Sequence, residues 1–167
     1  MSDQYVLSEA TAARFAREVA KYPADQKQSA VMACLAIVQQ EQGYVSRASE
    51  DAIAAYLGMP PIAVYEVTTF YNMYNQKPVG QFKINVCTNL PCQLRDGQKV
   101  LDHLCHKLGV EPYGTTADGI FTIQPSECQG ACADAPVMLV NDRQMCSFMS
   151  VERTDELVDV LRAHAKN

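Results

Sequence analysis

At 167 residues, with 48% hydrophobic and 20% charged residues, the chain has room for one ordinary domain or two small ones and the composition of a soluble globular protein. A formal net charge of −5, with no cluster of Lys and Arg, speaks against nucleic acid as a partner. The longest apolar run, Ala30 to Val38, is about half of what a bilayer crossing takes, so any membrane link is expected through a partner rather than by direct insertion.

Helical periodicity fills the first part of the chain. Ser8-Glu9-Ala10-Thr11 is expected to open a helix that runs to about Lys21 and is closed by Pro23, with Ala12, Phe15, Ala16 and Val19 on one face. A second helix is expected from about Gln28 to Gln42, because Val31, Cys34, Leu35 and Val38 recur at i, i+3, i+4 and i+7 and Gly43 can cap its end. Ser49 is expected to cap a third helix ending at Gly58, and Pro60 or Pro61 to begin a fourth that carries Val64, Val67 and Phe70. Such closely spaced helices could read as a DNA-binding pair, but the segment Pro61 to Tyr71 offers no Arg or Lys to phosphates. The run Phe70-Tyr71-Met73-Tyr74 reads as core, with part of it able to face a partner. A turn-rich seam at Asn75 to Gly80 sets the expected boundary between a small helical bundle, residues 1–76, and a second domain, residues 77–167.

The second domain mixes periods. Gln81 to Cys87 alternates as a strand and delivers Cys87 at its end. A helix is expected from Asp96 to Leu108, with Val100, Leu101, Leu104, Cys105 and Leu108 as its buried stripe and Gly109 as its cap. A strand around Gly119 to Gln124 follows. Val137 to Val140 and Gln144 to Phe148 then flank a hairpin turn at Asn141-Asp142-Arg143, and Ser150 caps a last helix with Leu157, Val160 and Leu161 inward. The order strand, helix, strand, loop, hairpin, helix is close to the thioredoxin-like plan within an α+β or α/β class. Ala135-Pro136-Val137 stands where such folds commonly place a cis proline.

Four of the seven cysteines fall in two tight pairs, Cys87-Thr-Asn-Leu-Pro-Cys92 and Cys128-Gln-Gly-Ala-Cys132. Each interval lets one short loop aim both sulfurs at one metal. Gly130, Ala131 and Ala133 let backbone wrap closely, and Pro91 and Pro136 stiffen the loop edges. Thiolates held this way suit an iron–sulfur cluster. Structural zinc usually takes pairs with two intervening residues, and here the intervals are four and three, so a zinc-stabilised interaction module is the weaker alternative. A disulfide framework fits poorly: the cysteine count is odd and no apolar segment with a cleavage site opens the chain, which gives the expectation of a reducing, cytoplasmic setting. The other three, Cys34, Cys105 and Cys146, read as buried, and His103 and His106 flank Cys105 without sharing its face. Glu127 and Asp134 beside the pairs read as solvated.

With these motifs in view the chain resembles the small thioredoxin-like [2Fe-2S] subunit of the NADH-dehydrogenase module of respiratory complex I. The likeness spans most of the chain. It is carried by the helical bundle, by Leu57-Gly58-Met59-Pro60 with Val64-Tyr65-Glu66-Val67 and Phe70-Tyr71, by Cys87 and Cys92, and by Glu127-Cys128-Gln129-Gly130-Ala131-Cys132 before Ala135-Pro136; the thirty-five residues between the pairs are its specific part. The resemblance implies that Cys87, Cys92, Cys128 and Cys132 ligate one [2Fe-2S] cluster and that this chain holds no complete active site of its own. It further implies a partner subunit holding FMN and NADH, other subunits of the peripheral arm of a quinone-reducing complex attached to the membrane, and single electrons exchanged with the flavin so that a flavin radical is short-lived. Similar subunits serve NAD-linked hydrogenases and formate dehydrogenases. The sequence itself has no G-x-G-x-x-G and no phosphate-binding loop, which agrees with nucleotide chemistry lying elsewhere.

Overall fold

The computed structural model describes residues 5–165, so the outermost ends of the expected domains, residues 1–4 and 166–167, lie outside the described residues. The chain divides between Pro78 and Val79 into two compact units.

The first unit is helical: α1 (Glu9–Val19), a 3-10 turn (Lys27–Ala30), α2 (Val31–Gln42), α3 (Arg47–Leu57) and α4 (Pro61–Phe70). Ser8 caps α1 through its hydroxyl, which accepts the Thr11 N–H at 3.1 Å. Gly43 and Gly58 end α2 and α3 in the left-handed region, and Pro61 opens α4 in the first turn, where its missing N–H costs nothing. The cap of α3 is Ser46, not Ser49: the Ser46 hydroxyl accepts the Ser49 N–H at 3.2 Å, and Ser49 lies inside the first turn with its own hydroxyl bonded to the Ser46 carbonyl. Phe15, Leu35, Val38, Ile53, Leu57 and Val64 fill the core, with Cys34 among them. Glu50 is buried in this core with its charge satisfied by the Thr68 hydroxyl at 2.5 Å and Arg47 at 3.1 Å. No helix of the described residues is long and apolar enough to cross a membrane.

The second unit runs β1 (Phe82–Cys87), α5 (Leu90–Gln93), α6 (Gly97–Leu108), β2 (Phe121–Ser126), a 3-10 turn (Cys132–Asp134), β3 (Met138–Val140), β4 (Gln144–Cys146) and α7 (Val151–His164). The sheet order is β2-β1-β3-β4, with β1 and β2 parallel across the helical crossover and β3 and β4 antiparallel. This is the thioredoxin-like plan expected from the element order. Ile84 and Val86 on β1, Phe121 and Ile123 on β2, Leu101 and Leu104 on α6 and Val158 and Leu161 on α7 close one core. On the other face of β1, Lys83 and Asn85 are also buried, satisfied by Asp142: its carboxylate takes Lys83 Nζ at 2.6 Å and Asn85 Nδ2 at 2.6 Å. Asn141 and Asp142 turn the hairpin with positive φ, a conformation Asn and Asp adopt more readily than other side chains. The Ala135–Pro136 peptide is cis.

Candidate metal centre

The first cysteine pair is seated by regular structure. Cys87 ends the central strand, opposite Ser126 on β2, and its N–H donates to the Val137 carbonyl at 3.1 Å. Cys92 is carried by α5, a single turn that begins after Asn89 with Pro91 in its first turn. Both residues are at most 2% exposed and pack with Ala135 and Val137, against which Ala131 is placed. Gly97 at the start of α6 comes so close to α5 that an added Cβ would lie 2.7 Å from the Cys92 carbonyl oxygen. Only a residue without a side chain permits that approach.

The second pair comes from the loop after β2. Gly130 turns this loop at φ +80°, a region that disfavours other residues, and its N–H points to the Cys128 sulfur at 3.5 Å. Cys132 starts the 3-10 turn that leads to the cis Ala135–Pro136 peptide. The Cys128 and Cys132 sulfurs are 3.3 Å apart and both residues are exposed. The two cysteine loops are tied to each other: Thr88 N–H and its hydroxyl reach the Ser126 carbonyl at 3.0 and 3.2 Å, Asn89 Nδ2 donates to Glu127 at 2.7 Å, and Arg95 reaches the Ala135 carbonyl at 3.5 Å.

The thiols sense one another. Burial pushes the Cys92 thiol up to about 11, a hydrogen bond with the Val137 backbone opposes this, and the neighbouring Cys87 and Cys132 add to it. The Gly130 N–H and then Cys132 pull Cys128 down, whereas the hydrogen bond with Cys128, followed by burial and Cys87, pushes Cys132 up. A cation bound among thiols whose charges oppose one another lets them release their protons together. Among the described residues no three His, Cys, Asp or Glu side chains converge on one point as a single ion would require; the sulfurs come as two pairs. A binuclear, all-thiolate group fits this donor set.

The remaining candidates separate from the centre. Cys34 lies in the helical core, where burial pushes its thiol up to about 12, with Glu18 adding to it. Cys105 belongs to the α6 stripe and Cys146 is half-buried on β4, and burial raises both. His103 bonds Asp155 of α7 at 2.7 Å and takes no part. Glu127 is exposed but not merely solvated, since it accepts from Asn89, and Asp134 accepts from Ser147 at 3.3 Å. In the aromatic run Tyr74 is core, its hydroxyl on the Met32 carbonyl at 2.9 Å, while Phe70 is 80% exposed.

What the sequence did not reveal is α5, whose signal was present as an Asn cap followed by Pro within the first cysteine interval, and the inward turn of Gln129. Its Nε2 donates to the Asn85 carbonyl at 3.0 Å and to Ser126 Oγ at 2.7 Å.

The profile of the thioredoxin-like [2Fe-2S] ferredoxin family matches residues 15–162. NADH-quinone oxidoreductase subunit 2 of Thermus thermophilus is 37% identical over 144 residues, covering 86% of this chain and 80% of its own. An NADH-quinone oxidoreductase subunit of Rickettsia conorii is 42% identical over 145 residues, covering 86% of both chains. The crystal structure of an NAD+-reducing [NiFe]-hydrogenase in the air-oxidized state shares the fold, with a TM-score of 0.67 at 20% identity over 79% of this chain, which spans 23% of that longer one. A paired-cysteine centre at the end of a parallel β1–β2 ladder, together with a family match from the first helix to the last, leads to one conclusion: the chain belongs to the thioredoxin-like [2Fe-2S] ferredoxin family.

Proposed function

We propose that Cys87, Cys92, Cys128 and Cys132 hold one [2Fe-2S] cluster and that the chain is an electron-transfer subunit of an NADH:quinone oxidoreductase, exchanging single electrons with the flavin of a partner subunit that oxidises NADH. The observation that carries this reading is the placing of two pairs of free cysteines on two loops that are hydrogen-bonded to each other beside the ends of β1 and β2. The identity of 37–42% to NADH-quinone oxidoreductase subunits over most of the chain supports the assembly. The likeness to the hydrogenase supports the fold, so a diaphorase subunit of an NAD-linked hydrogenase is the second reading.

When bound, such a cluster accepts and returns one electron at a potential set by its ligands, nearby N–H groups and exposure. The chain supplies these settings. β1 and α5 keep Cys87 and Cys92 from water, and the Gly130 N–H offsets negative charge on the Cys128 sulfur. Cys128 and Cys132 lie at the surface, which keeps the path to a docked redox partner short. No side chain at the centre is asked to move a proton. We read residues 77–167 as the cluster domain and residues 1–76 as a helical bundle that serves attachment to the partner, with FMN and NADH held there and with the assembly at the cytoplasmic side of a membrane it does not itself enter.

The test is gentle purification of the native chain with its partners, followed by addition of NADH. Co-purification of a flavin subunit, reduction of this chain's cluster and NADH-driven quinone reduction are expected. A partner that instead couples NAD to hydrogen oxidation establishes the second reading, and a cluster that no NADH and no low applied potential can reduce removes both.

A further inference from the structure

The second cysteine loop carries one polar side chain that the mechanism above leaves without a role. Gln129, between Cys128 and Gly130, turns its amide away from solvent, donating from Nε2 to the Asn85 carbonyl of β1 at 3.0 Å and to Ser126 Oγ at the end of β2 at 2.7 Å. A carbonyl only accepts, so the nitrogen must face β1 and the oxygen must face the other way. Oε1 is thereby buried with no hydrogen-bond partner. An unpaired buried acceptor is unfavourable, and a side chain on an otherwise exposed loop could relieve it by swinging into water. The two bonds to the sheet outweigh that relief.

Their position gives the bonds a purpose. Ser126 is the register partner of Cys87, and Asn85 precedes Cys87 by two residues on the same strand. One anchor of Gln129 therefore lies across the ladder from Cys87 and the other lies two residues before it on the same strand. The tie from Asn89 to Glu127, next to Cys128, is on the exposed surface, where water competes for both partners.

We propose that Gln129 is a positioning residue of the thiolate centre: its amide clamps the Cys128–Cys132 loop to the two parallel strands, fixing the second pair of sulfurs relative to the first and holding the Gly130 N–H on the Cys128 sulfur. The proposal rests on the reading of the four cysteines as cluster ligands. Gln129 touches no reacting atom and acts only through the loop.

Gln129→Met keeps the length of the side chain and removes the donor. In the full-length, anaerobically loaded chain the variant is expected to hold the same iron and sulfide, to lose iron to excess chelator on the order of tenfold faster, and to show a reduction potential displaced to lower values because an N–H no longer stabilises the added charge. In the cluster-free chain the Gly130 amide is expected to exchange faster with solvent by NMR while Ile84 is unchanged. Ser126→Ala removes one of the two acceptors and should give a smaller effect, and the double variant should lose little more than Gln129→Met alone. Unchanged potential, iron loss and Gly130 exchange overturn the clamp, and if Gln129→Met fails to fold, Ser126→Ala decides on the same readouts. A wild-type chain that takes up no iron and sulfide overturns the reading of the cysteines instead, while Gly130 exchange still decides whether the amide holds the loop.

Discussion

Gly97→Ala places a methyl group where the structure has no room. A Cβ at this position lies 2.7 Å from the Cys92 carbonyl oxygen, 2.9 Å from its carbonyl carbon and 3.1 Å from its Cβ. These atoms belong to α5, and the Cys92 carbonyl is engaged by the N–H groups of Leu94 and Arg95, so they cannot yield as the end of a long side chain would. Overpacking of this kind costs about 1–3 kcal/mol, and replacing Gly by Ala in a helix returns about 1 kcal/mol, which leaves up to about 2 kcal/mol against the variant. Because the chain has two compact units, a single unfolding free energy is poorly defined, and the local measure is native-state exchange of the Ile84 and Val86 amides in the central strand. A destabilisation of that size corresponds to exchange faster by up to roughly 30-fold. Iron should leave the loaded variant faster as well, since the clash displaces Cys92. Exchange and iron retention equal to wild type would refute the reasoning that the α5–α6 contact seats Cys92 as a proposed ligand.

The Asp155 carboxylate is held below the usual carboxylate range by His103 and then by Lys107, so its contribution to stability is present above the unfolded value near ~4 and is lost as pH falls through the lower folded value. The thermal midpoint of Asp155→Asn should therefore lie below that of wild type at pH 7, with the gap shrinking below about pH 4; a gap that stays constant with pH would show that the pair is not its source. Ser46→Ala should cost about 1 kcal/mol at the start of α3, read as roughly fivefold faster exchange of the Ser49 amide, the one its hydroxyl caps. In the reduced, cluster-free chain iodoacetamide should label exposed Cys128 first and Cys34, whose buried thiol is pushed up to about 12, last. Equal rates by mass spectrometry would show that the helical core admits the reagent.

Much of this architecture was legible because its punctuation is local. Gly43, Gly58 and Gly109 each end a helix at positive φ, and Pro61 opens one, as residues with their conformational freedom or restriction should. The cysteine pairs were legible for a different reason: thiol spacing is a chemical signal that survives ignorance of the fold. Helix faces were less clear wherever a polar residue could be buried without penalty. On α1, Thr11 takes an inward position because its hydroxyl donates to Glu41 at 2.8 Å, and Ala16, expected inside, is exposed. On α7, Thr154 is buried with its hydroxyl on the Ser150 carbonyl at 2.7 Å, which rotates Val158 inward and leaves Val160 outside. Ser49, expected as the cap of α3, lies instead in its first turn, because the extended backbone is at Ser46 and the Ser46 hydroxyl accepts the Ser49 N–H. Gln129 was out of reach because its partners are a main-chain carbonyl 44 residues away and a hydroxyl on a strand end.

The most direct test of the account is low-temperature EPR of the anaerobically purified chain before and after dithionite, with iron, sulfide and zinc determined on the same sample. The account predicts a silent oxidised form that gains a rhombic or near-axial S = 1/2 signal on reduction, with iron and sulfide in equal amounts. Zinc bound without sulfide, and no signal after reduction, would contradict it and make the four cysteines a structural site.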